Sequence, residues 1–332
     1  MAELNLSPFG KSMFLKQLHS KQIIKMKLKN IIYLFAAFTF FSSCEDIIDV
    51  DLAEGDNQLV VDAWVNNLPQ TQTIRLSRTI PYFENNTPPA ETGAIVTITE
   101  DDGSVYNFED SDNDGSYTWT PAIGTSFGQV SGSYMLDITT SNGKIYTATS
   151  TMNRIMPIDS ITLEEREEEL GDPAGIYAEL FARDFLGEGD AYWIKTFKNG
   201  DFLNKPQEIN IAWDAAFTPG SGVDGVILIT PIRENINRVP DDGSDAEDNN
   251  DVSPWALGDS INVEIHSLNA DAFRFLSQSL TQMTIGDAGI FAEPPANVPT
   301  NIESINPVDA SDKAIGFFNV SAVSARGRRV EL

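Results

Sequence analysis

Short runs in which apolar and polar residues alternate extend over residues 58–150, with turn-forming residues between them about every eight to twelve positions. Because successive side chains of a β-strand point to opposite faces, this alternation predicts strands that are buried on one side. Asp-Asp-Gly at 101–103 and Ser-Asn-Gly-Lys at 141–144 predict tight hairpins, since glycine adopts a positive φ without steric penalty. About seven strands in about 100 residues predict an immunoglobulin-like β-sandwich over residues 58–157.

The rest of the chain, residues 158–332, predicts a second β-rich domain, sandwich or barrel-like, with one packed α-helix. We place the boundary at Pro157, because proline has no N–H to donate to a β-ladder and suits a connection. The helix is predicted near residues 269–284, with Asn269 or Asp271 as its N-cap. Its apolar residues are spaced three, four and three apart, which is one face of a helix: Phe273, Leu276, Leu280 and Met283.

An apolar run at residues 31–41 precedes the only cysteine of the chain, Cys44. The run is about half of the roughly 20 apolar residues that a membrane-spanning helix needs, so it is typical of the core of a signal peptide. Two serines followed by cysteine resemble the lipobox of bacterial lipoproteins, in which the cysteine is acylated. An ordinary secreted protein with an incidental Cys44 is the alternative.

The resulting plan of the N-terminal region has three parts. They are a mis-called start or extension at 1–25, a lipoprotein signal peptide at 26–43 and an acidic linker at 44–57. Residues 1–43 hold six of the 22 Lys and Arg residues and one of the 49 Asp and Glu residues, so the mature chain has 16 against 48. Its net charge of about −32 argues against nucleic acid as a partner, because phosphates are repelled.

The sequence shows no set of residues that is typical of a catalytic site. The mature chain has one histidine, His266, and a triad hydrolase needs a histidine base. We expect His266 to be solvent-facing or at a sheet edge. The sequence has no GxxxxGK[ST] phosphate loop, and zinc sites built from His and Cys lack ligands. A hydrolase that uses carboxylates alone, a glycosidase or a peptidase, stays open, but we expect that the protein is not an enzyme.

Calcium is the one cofactor that the sequence suggests. Asp110, Asp112 and Asp114 alternate along a turn and are followed by Gly115, as in the first half of an EF-hand loop. The twelfth position, where an EF-hand requires glutamate, is Pro121. The weak calcium prediction at this turn therefore competes with a plain acidic hairpin turn.

The five tryptophans invite the interpretation of a platform for carbohydrate. Trp64, Trp119 and Trp193 lie within strand patterns, and we expect them in the core. Trp255 follows an acidic stretch and Pro254, so it is the best candidate for an exposed aromatic residue. Packing in the core or in a loop is still the favoured interpretation for Trp255, because large aromatic side chains usually find cover.

Taken in order, the segments of the mature chain resemble one family of Bacteroidota outer-membrane lipoproteins, which has a domain of unknown function of the 4249 type. The segments that carry the resemblance, besides the lipobox, are LVVDAWVNN, TIRLSRT, GAIVTITEDDGSVYNF, GSYTW, GSYMLDITTSNGKIYTATS, PIDSI, NADAFRFL, GIFAEPPANVPTNI and AIGFFNVSAVS. Members are often encoded beside TonB-dependent receptors.

The resemblance implies a lipid-anchored outer-membrane protein that binds or assists a TonB-dependent transporter. Its implied partners are the outer membrane, through acylated Cys44, and a TonB-dependent receptor. In that phylum, acids just after the lipidated cysteine resemble a signal for export to the cell surface, and Glu45 and Asp46 supply such acids. The expected location is therefore the outer membrane, facing the cell exterior. A carboxylate-only hydrolase and a purely structural envelope lipoprotein are the alternatives.

Overall fold

The computed structural model describes residues 57–81, 84, 86–168, 173–239, 253–284, 298–305, 307 and 312–331. All of these residues belong to one compact unit, Glu54–Leu332. Most of its regular structure is β, which confirms the predicted fold class of β-sheets with one packed helix of several turns. None of the described helices combines the length and the apolar character that a membrane span requires.

Nine strands form a sandwich of two sheets. In chain order they are β1 (Leu59–Asn66), β2 (Gln72–Arg78), β3 (Ile95–Glu100), β4 (Val105–Phe108), β5 (Ser116–Trp119), β6 (Ser133–Thr139), β7 (Ile145–Thr151), β14 (Glu303–Ile305) and β15 (Ala314–Ser321). One sheet has the order β15-β1-β2-β5 and the other β14-β7-β6-β3-β4. The inward faces of both sheets share one apolar core.

Both predicted hairpins of this sandwich are confirmed. β3 and β4 pair up to Thr99 opposite Val105, and Gly103 between them has a φ of 91°. β6 and β7 pair up to Thr139 opposite Ile145, with Gly143 at a φ of 85°. Glycine is favoured at both places because a side chain at such a φ would be strained.

The last part of the chain returns to complete the sandwich. β15 runs parallel to β1, from Leu59 opposite Ala314 to Asn66 opposite Ser321. β14 pairs with β7 in antiparallel orientation. Both strands lie in residues 158–332, the range that the sequence assigns to the second domain. A boundary at Pro157 therefore does not separate the sandwich from the other sheets.

The remaining strands build a five-stranded sheet and a two-stranded sheet. The strands are β8 (Ile158–Arg166), β9 (Gly175–Ala182), β10 (Ala191–Lys198), β11 (Asp201–Leu203), β12 (Asn210–Trp213), β13 (Ser260–Leu268) and β16 (Val323–Arg329). The larger sheet has the order β11-β10-β13-β16, with β12 also paired to β10, and β8 pairs with β9. A second apolar core lies between these sheets and the short helix α1 (Thr230–Glu234).

The long helix α2 (Ala270–Thr284) confirms the predicted helix. Of its two candidate caps, Asn269 accepts the N–H of Ala272 at its side-chain Oδ1, at 2.8 Å. Phe273 and Leu276 are buried, whereas Met283 at the end of the predicted apolar face is 52% exposed. α2 covers the outer face of the larger sheet and forms a third apolar cluster with residues of β10, β12, β13 and β15.

Candidate functional site

Four aromatic side chains meet where the third apolar cluster reaches the surface, and we call them the aromatic corner: Trp64, Trp193, Phe275 and Phe317. The Trp64 ring lies 5.3 Å from that of Trp193 in an edge-to-face arrangement and 5.8 Å from that of Phe317 in a stacked one. The centroids of the Phe275 and Phe317 rings are 4.9 Å apart. Phe317 is buried, and the other three are half-buried.

Each corner residue projects from the outer face of its element. On β1, Val61, Ala63 and Val65 point into the sandwich core, which places Trp64 on the opposite side. On β10, the neighbours of Trp193 face the second core, so Trp193 faces away from it. The corner therefore depends on three elements beside α2, and β15 supplies Phe317 next to β1.

Three ionisable side chains line the corner on the sheet of β10 and β13. Trp193 pairs with His266, and Lys195 pairs with Glu264, so all four side chains share one face. The Lys195 Nζ lies 3.9 Å from the centroid of the Trp193 ring, a cation–π contact. The His266 Nε2 lies 2.9 Å from the Glu264 Oε2.

The surroundings of these groups decide their charges at neutral pH. Burial lowers the pKa of His266 to about 4, although the Glu264 carboxylate opposes the shift. Burial also lowers the pKa of Lys195 to about 8. For Glu264 burial acts to raise the pKa, but the hydrogen bond with His266 and the nearby Lys195 charge outweigh it, so the net pKa is lowered. The corner thus carries a neutral imidazole beside the oppositely charged Lys195 and Glu264, and Asp62 on β1 adds a second carboxylate that interacts with Lys195.

The prediction that His266 is solvent-facing or at a sheet edge is wrong. His266 is 4% exposed, because β13 lies between β10 and β16 and the third apolar cluster covers its outer face. Sequence reasoning also missed Lys195 and Glu264. The available signal was the spacing of Glu264 and His266, two positions apart and therefore on one face of a strand whose other face carries Ile261, Val263 and Ile265.

The burial of several tryptophan side chains differs from the expectation. Trp255, the best candidate for exposure, is 0% exposed, and its indole N–H donates to Asn237 Oδ1 at 2.9 Å. Packing in the core was the favoured interpretation, and the structure confirms it. Trp64 and Trp193, expected in the core, are half-buried at the corner, and Trp119 is half-buried against the sandwich core.

The predicted calcium turn uses its carboxylates to close the loop. Asp110 accepts the N–H groups of Asp114 at 3.1 Å and of Gly115 at 3.2 Å. Asp114 accepts the N–H of Ser116 at 2.8 Å, and Asp112 is exposed. These bonds suit an acidic turn, and calcium binding here stays a prediction. Cys44, the predicted lipidation site, lies outside the described residues.

The geometry of the corner favours binding over nucleophilic catalysis. Within the described chain, His266 makes its side-chain hydrogen bond to Glu264, and neither a hydroxyl nor a thiol is paired with it. The Lys195 ammonium faces an aromatic ring. Half-buried tryptophans beside charged side chains are instead typical of the residues that dominate protein interfaces.

Comparison with known proteins gives one family. The family model described as "Domain of unknown function (DUF4249)" matches residues 45–326. No curated protein matches the chain significantly. Among solved structures, a segment of two fibronectin type-III domains from chicken tenascin is similar, with 12% identity, a TM-score of 0.19, and coverage of 64% of this chain and 91% of that one.

Proposed function

We propose a function from one premise, that this chain belongs to the DUF4249 family. The protein is a lipid-anchored outer-membrane protein that binds or assists a TonB-dependent transporter, and it is not an enzyme. Its anchor is acylated Cys44, and its position is on the cell exterior, for which the acids after Cys44 are the supporting feature. Two or more acyl chains hold a protein on a membrane where a single chain binds only reversibly.

The observation that carries the binding role is the aromatic corner. Trp64 and Trp193 present rings to solvent beside Lys195 and Glu264, although large aromatic side chains are usually covered. Tryptophan contributes disproportionately to binding energy when a partner excludes water around it. We therefore assign the corner as the surface on which the partner docks. The membrane anchor raises the local concentration of the protein beside a partner in the same membrane.

In-cell cross-linking followed by purification of the protein tests this function. Wild-type protein is expected to recover a TonB-dependent receptor, and Trp64→Ala is expected to reduce the recovery at least about tenfold, since truncating such a residue removes about 2 kcal/mol or more of binding energy. Trp119→Ala is the matched control. This half-buried tryptophan also packs on aromatic rings, those of Tyr106 at 5.1 Å and Phe127 at 5.7 Å, on a strand that lies two positions from β1 in its sheet.

Two results would contradict the proposal. Recovery of no transporter by wild-type protein removes the accessory role. Wild type and Trp64→Ala, both shown to be folded by circular dichroism, could also recover the receptor equally. The partner would then dock on a surface other than the corner. Turnover of a glycan or peptide by the purified protein would favour the carboxylate-only hydrolase instead.

A further inference from the structure

Three aspartates from two connections, the one between β9 and β10 and the one between β12 and α1, converge at one end of the second core. Asp184 follows β9, Asp214 directly follows β12, and Asp224 lies in the loop before Val226. One carboxylate oxygen from each lies within 4.8 Å of the others. Asp184 and Asp214 are only 3% and 5% exposed. Carboxylates this close and this buried repel one another strongly unless a cation or a proton lies between them.

The hydrogen bonds of the three side chains engage four of their six carboxylate oxygens. Asp184 accepts the Tyr192 hydroxyl at 2.6 Å and the N–H of Gly225 at 3.2 Å. Asp214 Oδ1 accepts the N–H groups of Gly189 at 2.7 Å and of Asp190 at 3.0 Å.

Asp224 accepts the N–H of Gly187 at its Oδ2, at 3.1 Å. Its Oδ1 is fully buried and has no hydrogen-bond partner among the described residues. A buried carboxylate oxygen without a donor is unfavourable, so this atom is available to a further ligand.

Two arginines lie near the three aspartates. Arg183 Nη1 donates to the carbonyl of Gly225 at 3.4 Å. The Arg154 guanidinium binds Asp190 through Nε at 2.9 Å and Nη2 at 2.5 Å, and Nη2 also donates to the carbonyls of Leu186 and Gly187. Arg154 forms its ion pair with Asp190, and among the described residues Asp184, Asp214 and Asp224 form no ion pair with a lysine or arginine. Consistent with a deficit of positive charge, burial raises the pKa of Asp184, and the charges of Asp190 and Asp214 raise it further.

We propose that Asp184, Asp214 and Asp224 bind a calcium ion, with Asp224 Oδ1 as one ligand. The donors are all carboxylate oxygens on loops, which suits a hard cation of variable coordination geometry, whereas zinc and copper prefer histidine or cysteine. Water or backbone carbonyls complete the six to eight oxygen ligands that calcium takes. The ion ties the connection between β9 and β10 to the connection between β12 and α1, and so orders one end of the second core.

Calorimetric titration of the metal-stripped full chain with CaCl₂ tests the site, with MgCl₂ as the comparison ion. We expect one calcium per chain, a higher melting temperature with calcium, and weaker binding of magnesium. Asp224→Asn is expected to weaken calcium binding at least about tenfold. Asp112→Asn, at the turn where the sequence suggested calcium, is the matched control and leaves the binding unchanged.

A second readout does not depend on the fold of a variant. Terbium bound at the site is sensitised by Tyr192, whose hydroxyl lies 2.6 Å from the Asp184 carboxylate, and calcium displaces it. The proposal is overturned if wild-type protein shows neither heat nor a melting shift at about 10 mM calcium, the weak end of extracellular calcium sites being about 1 mM. It is equally overturned if Asp112→Asn weakens binding and Asp224→Asn does not, or if neither substitution weakens it.

Discussion

Gly316 is the residue on which the pairing of the first and last strands of the sandwich depends. It has a φ of 96°, and a Cβ added there would lie far inside van der Waals contact with the carbonyl oxygen of Val61 on β1. We expect Gly316→Ala to lower the free energy of unfolding by at least about 2 kcal/mol, through backbone strain and this clash. Urea denaturation measures the loss.

Gly103→Ala is the control for that change. Gly103 has a similar φ of 91°, but its added Cβ would meet nothing within 4 Å. The strain of the φ is common to both variants, so the difference between them isolates the close approach of the two strands. Equal destabilisation by both substitutions would contradict this explanation.

His266 gives the protein a defined sensitivity to acid. Its pKa is about 4 in the folded protein against an ordinary 6.5, so between these values the unfolded chain binds a proton that the folded chain does not. Stability is therefore lost as the pH falls from about 6.5 to 4, by about 3 kcal/mol. Denaturation of wild type and His266→Gln at pH 7 and pH 4 measures the difference. The account is wrong if both proteins lose the same stability.

Helix α2 is the element with the clearest sequence signal, the N-cap residue at its start. Asn269→Ala removes the oxygen that accepts the Ala272 N–H, and we expect a loss of about 1 kcal/mol. Asn269→Asp retains the acceptor but loses the amide N–H that donates to Ser150 Oγ at 3.3 Å, so it should restore only part of this stability. Asp271→Ala tests the other candidate cap and should change stability by less than about 0.5 kcal/mol. Thermal denaturation compares the three variants, and a larger effect of Asp271→Ala would exclude Asn269 as the cap.

Local signals explain which elements could be predicted from sequence. The hairpins at Gly103 and Gly143 and the cap at Asn269 depend on residues within a few positions of one another, and all three were predictable. The pairing of Leu59 with Ala314 joins residues more than 200 positions apart. No local sequence pattern indicates with which distant strand a given strand pairs. The corner was missed for the same reason, because Trp64 and Trp193 become neighbours only when separate sheets meet.

The two groups of aspartates also differ in whether the sequence alone could reveal them. Asp110, Asp112 and Asp114 form a visible pattern in the sequence, whereas Asp184, Asp214 and Asp224 are brought together only by the fold. Their burial and the unpartnered oxygen of Asp224 have no counterpart in composition. A chain with 49 acidic residues always offers spacing patterns, so spacing alone does not identify a cation site.

For the molecule as a whole, attachment to the membrane is predicted to depend on one atom, the sulfur of Cys44. Cys44→Ala is expected to move the protein from the membrane fraction to the soluble fraction, because acylation requires the thiol. Fractionation of cells followed by immunoblotting measures the distribution, with Ser43→Ala as a control that keeps a small residue before the cysteine. Retention of the Cys44→Ala protein on membranes would show that another feature anchors it.

The central claim is that the aromatic corner faces a transporter in the outer membrane. Asp62 is exposed and pairs across the sheet with Phe317 of the corner, so a photo-reactive amino acid at position 62 reports what lies against it. The same probe at exposed position 112, in the acidic turn, is the control. On irradiation of living cells, we predict a covalent adduct with a TonB-dependent receptor from position 62 and none from position 112. An adduct from neither position, or from position 112 alone, would contradict the claim.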